Sequence, residues 1–248
     1  MKRVDMIIPC YNEERVLAES VEKLRAWAGA QLPYAWRIVV ADNASTDGTL
    51  AVAQRLAAAD PDGCRVVHLD RKGRGWALTK AWLESDGDAM CYMDVDLSTD
   101  LASLIPLLAG VCEEGYDLAY GSRVAKAADI ERSLRREINS RGYILLIKAL
   151  FRTKFSDAQC GFKAITREAA RELLPQVRDG EWFWDTELLV IAEKAGYRLK
   201  EVPVRWVEDP DSRVKFPQDV LKMAGRLARL RMRKLPRRGE LAGGQRSP

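Results

Sequence analysis

The stretch AMCYMDVDLSTD, residues 89–100, places three carboxylates directly behind an apolar run. The apolar part is typical of a buried strand, and Asp94, Asp96 and Asp100 follow it at once. Three interpretations are open: a solvated turn that caps the next helix, a calcium loop, or a divalent-cation site shared with a phosphate group.

The calcium loop does not fit the residues that follow. An EF-hand loop that starts at Asp94 needs Gly at its sixth position and Glu at its twelfth. This chain has Thr99 and Ile105 there. The capping turn and the cation site remain as interpretations, and features elsewhere in the sequence are needed to distinguish them.

Short runs of strand type alternate with helical patterns on both sides of this stretch. Asn12 is the expected N-cap of the first helix. The alternation predicts an α/β fold, with a mostly parallel central sheet and helices on both faces. The predicted strands are residues 4–8, 37–41, 65–69, 89–93 and 117–121, and the predicted helices begin near 14, span about 49–59, end near 84 and span about 101–113.

Polar side chains gather where the predicted strands end. Pro9, Tyr11 and Glu13 follow the first strand, and Asp42 and Asn43 follow the second. Ligands of parallel sheets bind beyond the carboxyl ends of the strands. Acids and amides at several such ends therefore favour a binding site over a purely structural role.

Cysteine, histidine and glycine usage excludes several classes of site. The five cysteines are scattered without a CxxC pair, which indicates a reducing compartment and no zinc site. The single histidine, His68, lies in an expected strand and is interpreted as a core or edge residue. No GxGxxG follows the first strand, which disfavours a Rossmann dehydrogenase or a methyltransferase. RKGRG, residues 71–75, could contact phosphate or be a solvated loop.

Two segments bear on membranes. Residues 143–151, YILLIKALF, are too short to span a bilayer, and we expect no signal peptide at the N-terminus. The net charge is +4, yet residues 220–238 hold eight basic residues and no acid, so the rest of the chain is net acidic. Met223, Leu227 and Leu230 recur there at helical spacing. This predicts a basic amphipathic helix at a membrane interface, or one packed on its own domain.

The order of seven motifs resembles a known family. IIPCYNEE (7–14), VVADNASTDGT (39–49) and DVD (94–96) are similar to the nucleotide-sugar half of family 2 glycosyltransferases, which have the GT-A fold. The remaining motifs resemble the branch that transfers sugar to polyprenyl or dolichyl phosphate, dolichyl-phosphate glucose synthases above all. They are GSR (121–123), SDAQCGFKAI (156–165), EWFWDTELL (181–189) and VPVRW (202–206).

The resemblance implies a domain organisation and a reaction. A GT-A domain would span residues 1–219, with a nucleotide-sugar half at 1–120 and an acceptor half at 121–219. Residues 220–248 would form the basic amphipathic helix and tail. The reaction would be the inverting, metal-dependent transfer of a hexose, glucose from UDP-glucose, to a polyprenyl or dolichyl phosphate. Mannose from GDP-mannose and GlcNAc from UDP-GlcNAc stay open as donors.

Two readings from other classes remain beside the enzyme. One is a regulatory protein that binds a nucleotide sugar on a GT-A scaffold without turnover. The other is a nucleic-acid binder, suggested by the basic tail. We expect no nucleic-acid partner, because the tail lacks interleaved aromatics and the body is acidic.

The resemblance also assigns site residues. Asp96 and Asp94 would hold Mg²⁺ or Mn²⁺ and act in catalysis together with Asp157 and Gln159. The nucleotide sugar would contact Pro9, Tyr11, Glu13, Asp42, Asn43 and Asp94, with Arg213 and Lys215 on a mobile lid. The acceptor phosphate would contact Arg123, Arg136, Asn139 and Arg132. Trp184, Asp185 and Glu187 would shape the sugar pocket together with Trp182, although tryptophans there are equally good core residues.

A lipid acceptor implies a location. We expect the protein to be cytoplasmic, bound peripherally to the cytoplasmic face of a membrane through its anionic lipids. Residues 143–151 are a second candidate anchor beside the tail. The sequence leaves the oligomeric state open.

Overall fold

A computed structural model describes residues 1–125, 129–131, 134–207 and 218–242. It has the predicted α/β architecture. The strands are β1 (Arg3–Cys10), β2 (Ala35–Asn43), β3 (Cys64–Leu69), β4 (Ala89–Met93), β5 (Leu118–Ser122), β6 (Asp129–Glu131), β7 (Phe162–Thr166), β8 (Leu199–Pro203) and β9 (Arg205–Val207). The helices are α1 (Leu17–Gln31), α2 (Thr49–Ala59), α3 (Arg74–Leu83), α4 (Leu104–Cys112), α5 (Leu134–Phe151), α6 (Arg167–Leu173), α7 (Trp184–Ala195), α8 (Gln218–Met232) and α9 (Arg238–Ala242).

The central sheet has seven strands in the order β3-β2-β1-β4-β7-β5-β8. All neighbours are parallel except β7, which runs antiparallel to both β4 and β5. β6 and β9 form a separate parallel pair. The mostly parallel sheet confirms the prediction, while the antiparallel strand in its interior does not follow from the sequence patterns.

Helices cover both faces of the sheet because its buried strands are apolar on both sides. On one face α1, α2 and α4 cover side chains such as Met6 and Ile8. On the other, α3, α5, α6, α7 and α8 cover side chains such as Ile7 and Tyr92. Successive residues of β1 therefore belong to different cores, as the period of two in a strand requires.

The first helix begins later than the sequence indicated. Val16 is the N-cap residue of α1, and Asn12 lies outside the helix with φ 57°. The Asn12 amide instead bonds to Thr46 across the β2–α2 turn, accepting from its N–H at 2.8 Å. The expected N-cap was wrong, because Asn12 tolerates the left-handed turn that follows β1 and joins two strand-end loops.

The basic helix α8 packs on the body of the protein. Leu227 and Leu230 are buried in the core that contains α5 and α7. Two ion pairs attach this segment to the rest of the domain. Arg226 in α8 pairs with Asp179 at 3.1 Å, and Arg233, just past the end of the helix, pairs with Glu187 at 2.7 Å. Of the two alternatives for this segment, the structure shows the helix packed on its own domain, so these leucines are not free to enter a bilayer.

Candidate active site

The carboxyl ends of β1, β2 and β4 and the start of β7 meet at one edge of the sheet. Strand register places Cys10 beside Asp42, and Met93 beside Phe162. The loop after β1, the end of β2, the acidic turn after β4 and the segment before β7 therefore converge. This edge collects the side chains that the sequence placed at separate strand ends.

Asp94 is held at this edge by an arginine from the neighbouring helix. Arg74, the first residue of α3, donates from one nitrogen to Asp94 Oδ1 at 2.8 Å and from another to Asp185 Oδ2 at 2.9 Å. The Asp94 side chain keeps 47% of its surface exposed, although its partner Arg74 is buried. On the far side, Asp94 Oδ2 lies so close to Gly161 that a Cβ at that position would clash with it. The carboxylate is thus fixed in direction while remaining open to solvent.

Asp185 is the centre of a buried charge network. Besides Arg74, it accepts from the Tyr92 hydroxyl and pairs with Lys163 Nζ at 2.9 Å. Burial alone would raise the pKa of Asp185, but Lys163 and Arg74 outweigh it and the pKa is lowered. The carboxylate stays ionised within the core. Asp185 contacts the Arg74 guanidinium, which also holds Asp94. Asp185 therefore affects the site indirectly, by orienting Arg74.

Lys163 is the second residue of β7 and is fully buried. Its ammonium donates to the carbonyl oxygens of Cys160 and Ala158 at 2.7 and 3.2 Å. It also lies 3.4 Å from the Tyr92 hydroxyl. These partners compensate the free-energy cost of burying the ammonium charge. The same contacts connect the segment before β7 to β4.

Asp157 and Arg123 form a second buried pair. Two guanidinium nitrogens of Arg123 reach the two carboxylate oxygens at 2.8 and 3.1 Å. Asp157 also accepts the N–H groups of Gln159 and Cys160. Burial would raise the pKa of Asp157, yet the Arg123 charge and hydrogen bonds lower it. Asp157 therefore fixes the turn and Arg123 together, and the exposed Gln159 side chain lies beside them.

Asp42 and Asn43 each serve a neighbouring element. Asp42 is fully buried and its Oδ2 lies 2.7 Å from His68 Nδ1. Asn43 Oδ1 accepts the Gly73 N–H at 2.6 Å, which anchors the loop before α3. In that loop, the Lys72 ammonium lies 3.5 Å from the centroid of the Tyr11 ring. His68 is on the edge strand β3, one of the two positions expected for it.

The other residues of the β1 loop have structural contacts as well. Pro9 is buried within β1, where it pairs in register with Ala41. The Glu13 backbone N–H donates to Thr49 Oγ1 at 2.8 Å, at the start of α2. Both therefore shape the loop that carries Tyr11 to the sheet edge.

Two exposed aspartates in the turn after β4 have different roles. Asp100 accepts the Ala102 N–H at 3.0 Å and caps a short 3-10 helix. This is the helix-capping role that was one of the alternatives in the sequence analysis. Asp96 accepts the Ser98 N–H at 2.9 Å. Among the residues that the structure describes, no group of three or more His, Cys, Asp or Glu side chains converges as a metal cage. One or two carboxylates completed by phosphate oxygens and water are the donor set that Mg²⁺ uses, and Asp94 fits it.

The segment 182–187 divides between surface and core. Trp184 is fully buried against Trp82 and Tyr92, and its indole nitrogen donates to Thr79 at 2.8 Å. Trp182 is 54% exposed, with the Arg74 guanidinium 5.1 Å from its ring centroid. The structure places Trp184 in the core, the alternative that the sequence left open for it, while Trp182 borders the site.

Glu187 contacts Arg233, the residue that follows α8, rather than the Asp94 site. It accepts the backbone N–H groups of Arg178 and Asp179 at 3.0 and 2.8 Å, and the Arg233 guanidinium. These contacts occupy both oxygens of its carboxylate. They show a structural role in docking the tail, and a part in shaping a sugar pocket stays a prediction.

Several predicted binding residues lie outside the part of the chain that the structure describes. They are Arg132, predicted for the acceptor phosphate, and Arg213 and Lys215, predicted for the nucleotide sugar. Arg136 and Asn139 belong to the N-terminal part of α5, and their side chains are likewise outside the description. Arg123 is the one acceptor candidate whose side chain is placed, and it lies under Trp206, 5.5 Å from the ring centroid.

Sequence reasoning missed Arg74, Lys163 and Tyr92. The signal for Lys163 was a lysine inside the short apolar run GFKAIT, a pattern typical of a buried strand with one compensated charge. Arg74 stood in RKGRG, which was read only as a possible phosphate loop or a solvated one. In the structure its guanidinium contacts two carboxylates.

No helix among the described residues is long and apolar enough to cross a membrane. Residues 143–151 form the second half of α5.

Solved structures share the fold. Glucosyl-3-phosphoglycerate synthase from Mycobacterium tuberculosis, in complex with Mn²⁺, UDP and phosphoglyceric acid, superposes with a TM-score of 0.65 at 20% identity. The match covers 92% of this chain and 77% of that one. A second crystal structure of that enzyme, with Mg²⁺ and UDP, gives a TM-score of 0.62 at 18% identity. The predicted GT-A fold is confirmed by this likeness.

Sequence relatives agree with the motifs. Glycosyltransferase AglD of Haloferax volcanii is 40% identical over 228 residues, and the match covers 91% of this chain but 36% of AglD. Dolichyl-phosphate beta-glucosyltransferase ALG5C of Trichomonas vaginalis is 31% identical, over 88% of this chain and 67% of the relative. The dolichyl-phosphate beta-glucosyltransferase of Saccharomyces cerevisiae is 27% identical, over 92% and 74%. The chain thus spans about a third of AglD and two thirds or more of the other two.

The model of the family described as Glycosyl transferase family 2 matches residues 5–174, from the first strand through the acidic turn to α6. The relatives support the branch that the later motifs indicated, the dolichyl-phosphate sugar synthases. On this match, and with the strand-end site assembled as described, the chain belongs to glycosyl transferase family 2.

Proposed function

We propose that this protein transfers glucose from UDP-glucose to a polyprenyl or dolichyl phosphate, with inversion at the anomeric carbon. The observation that carries the proposal is the half-exposed Asp94 carboxylate, fixed by Arg74 between the nucleotide-sugar half and the segment before β7. Relatives named dolichyl-phosphate beta-glucosyltransferase support the choice of sugar and acceptor.

Asp94 and Asp96 are the residues that would hold Mg²⁺ or Mn²⁺ together with the donor pyrophosphate. The bound cation would neutralise the charge that develops on the leaving nucleoside diphosphate. Asp94 suits this part because Arg74 takes one of its oxygens and keeps its direction fixed. The nucleoside would lie against Tyr11, Glu13, Asp42 and Asn43.

The acceptor chemistry asks little of a general base. A lipid phosphate is already anionic at neutral pH, so its oxygen can attack the anomeric carbon without losing a proton. What the site must supply is positive charge for that phosphate, and Arg123 is the placed candidate. Asp157 holds Arg123 through two hydrogen bonds, so its contribution is to orient that guanidinium. Arg132, Arg136 and Asn139 remain proposed contacts of the acceptor phosphate, and Arg213 and Lys215 remain proposed contacts of the nucleotide sugar.

A panel of labelled donors tests the proposal directly. UDP-glucose, GDP-mannose and UDP-GlcNAc are each incubated with polyprenyl phosphate and Mg²⁺, and the glycolipid product is separated and counted. We expect product from UDP-glucose, and none when EDTA is present. Product from GDP-mannose alone would refute the choice of donor. Binding of the nucleotide sugar without any turnover would favour the regulatory protein instead.

The exposed aspartates of the acidic turn allow a matched test of the cation site. Asp96→Asn is expected to lose nearly all turnover and to weaken Mn²⁺ binding, measured by electron paramagnetic resonance in the presence of UDP. Asp100→Asn is the control, because Asp100 lies in the same turn but caps a helix. Equal Mn²⁺ binding by the Asp96 variant and the wild type would remove Asp96 from the site.

We further propose that the protein is bound to the cytoplasmic face of a membrane. Five free, buried cysteines fit a reducing compartment. On α5, Leu145 and Leu146 are 66% and 41% exposed, and on α8, Arg229 and Arg231 are exposed. The first pair would contact acyl chains and the second anionic head groups, at about 1 kcal/mol per basic residue near the surface.

Vesicle flotation separates these two surfaces. Arg229→Gln/Arg231→Gln should reduce binding to anionic vesicles only. Leu145→Ser/Leu146→Ser should reduce binding to anionic and to neutral vesicles. If both double variants float as the wild type does, neither helix is the anchor, and the membrane placement loses its support.

A further inference from the structure

The Asp42 carboxylate is satisfied on one oxygen and unsatisfied on the other. Oδ2 faces His68 Nδ1 at 2.7 Å and the Ser45 N–H at 3.4 Å. Oδ1 is buried and has no hydrogen-bond partner among the described residues. A buried carboxylate oxygen without a partner is costly, which marks it as an acceptor for a group that arrives from outside.

The arrangement follows from strand register. Cys10, Asp42 and His68 stand side by side near the ends of β1, β2 and β3. The second ring nitrogen of His68 lies 3.4 Å from the exposed carboxylate of Asp70. Because a carboxylate oxygen accepts and does not donate, the 2.7 Å contact assigns the hydrogen to His68 Nδ1, which donates to Asp42 Oδ2. Asp42 is then left with a single acceptor to offer.

We propose that His68 is a specificity-determining residue that makes the Asp42 site select uracil over guanine. The inference rests on the proposed function, since it requires a nucleotide donor at this sheet edge. Uracil presents one donor, its N3–H, between two carbonyl groups. Guanine presents two adjacent donors, N1–H and the 2-amino group, which together match both oxygens of one carboxylate. Because His68 occupies Oδ2, only one of the two guanine donors can pair with Asp42. The other donor would stay buried without an acceptor, so the site should bind guanine much more weakly than uracil.

Asp42 is fully buried in this structure, so a base reaches its Oδ1 after a local movement of the chain. The exposed residues 70–72, between β3 and α3, are the segment that this inference assigns to that movement. The Lys72 ammonium lies on the Tyr11 ring, on which a base would stack. Gly73 stays fixed by Asn43, so the loop can move without releasing the start of α3.

Nucleotide binding measured by calorimetry tests the role of His68 without turnover. UDP and GDP, each with Mg²⁺, are titrated into the wild type, His68→Ala and His68→Asn. We expect the wild type to bind UDP at least about tenfold more tightly than GDP. His68→Ala should narrow that ratio by about fivefold or more, chiefly by binding GDP more tightly, since it frees Oδ2. His68→Asn should keep the ratio, because its amide nitrogen donates from nearly the position of Nδ1.

The outcomes separate this inference from the proposed function. If UDP binds but the ratio is unchanged in His68→Ala, or both nucleotides weaken equally, His68 has a structural role and the inference is wrong. If the wild type prefers GDP, the inference is wrong as well. If it binds neither nucleotide, the proposed function fails and this inference with it. Should His68→Ala not fold, His68→Phe fills the same space without a donor and is subject to the same criteria.

Discussion

Lys163 offers the sharpest test of how the site is held together. The substitution Lys163→Met keeps the length of the side chain and removes its charge. In the wild type the fully buried ammonium contacts Asp185, the Tyr92 hydroxyl and two carbonyl oxygens. The variant leaves those carbonyls without this donor and Asp185 with Arg74 as its remaining cation.

The expected cost follows from these contacts. Removing one partner of a buried ion pair costs about 3–5 kcal/mol, a large part of the 5–15 kcal/mol that is usual for a whole domain. Urea unfolding followed by circular dichroism should therefore show a midpoint lower by about 1–3 M. Lys23→Met on the exposed face of α1 is the matched control, with an expected change within about 0.5 kcal/mol.

A double-mutant cycle isolates the pair. Lys163→Met combined with Asp185→Asn should cost less than the sum of the single changes, with a coupling of about 1–3 kcal/mol. A loss below about 1 kcal/mol for Lys163→Met, at an unchanged slope, would refute the reasoning. It would show that Asp185 does not depend on this ammonium.

Three more predictions concern the second ion pair, the acceptor and the tail. The pKa of Asp157 is lowered in the folded state, so its stabilisation is present above the unfolded value near pH 4 and lost as the pH falls through the folded value. Thermal melts should show this loss below about pH 4, and Asp157→Asn should flatten that dependence; an equal slope in both proteins would contradict it. Arg123→Lys, which loses the two-point contact with Asp157, should raise the KM for lipid phosphate more than the Kd for UDP; a larger loss of UDP affinity would assign Arg123 to the donor. Arg233→Met should speed proteolysis within α8 by releasing Glu187, whereas Arg231→Met, at an exposed position, should not; equal rates would mean that the leucines alone dock the helix.

The structure of residues 1–120 could be predicted closely from the sequence. The strand over residues 89–93 and the helix over 49–59 lie where the apolar patterns placed them. Local signals suffice there, because each strand is apolar on both faces and each loop carries polar residues. That Asp42 and the acidic turn lie at the same edge of the sheet followed from its parallel strands alone.

The second half could not be predicted in the same way. β7 is short, contains a lysine, and pairs with strands far away in the chain, so no local pattern indicates its direction. The partners of Asp94 and Asp157 were also out of reach. Arg74 precedes Asp94 by twenty residues and Arg123 precedes Asp157 by thirty-four, and such contacts depend on tertiary packing.

The position of β7 between β4 and β5 has a consequence for folding during synthesis. Until residue 166 has left the ribosome, β4 and β5 lack the strand that joins them, although both are already synthesised. The emerging chain therefore leaves open the edges of β4 and β5 that β7 later covers, over some forty residues of further translation. Such non-local closure is slow, and a fragment that stops after β5 would retain those edges permanently. We expect that fragment to aggregate, so the two halves behave as one cooperative folding unit that cannot be expressed separately.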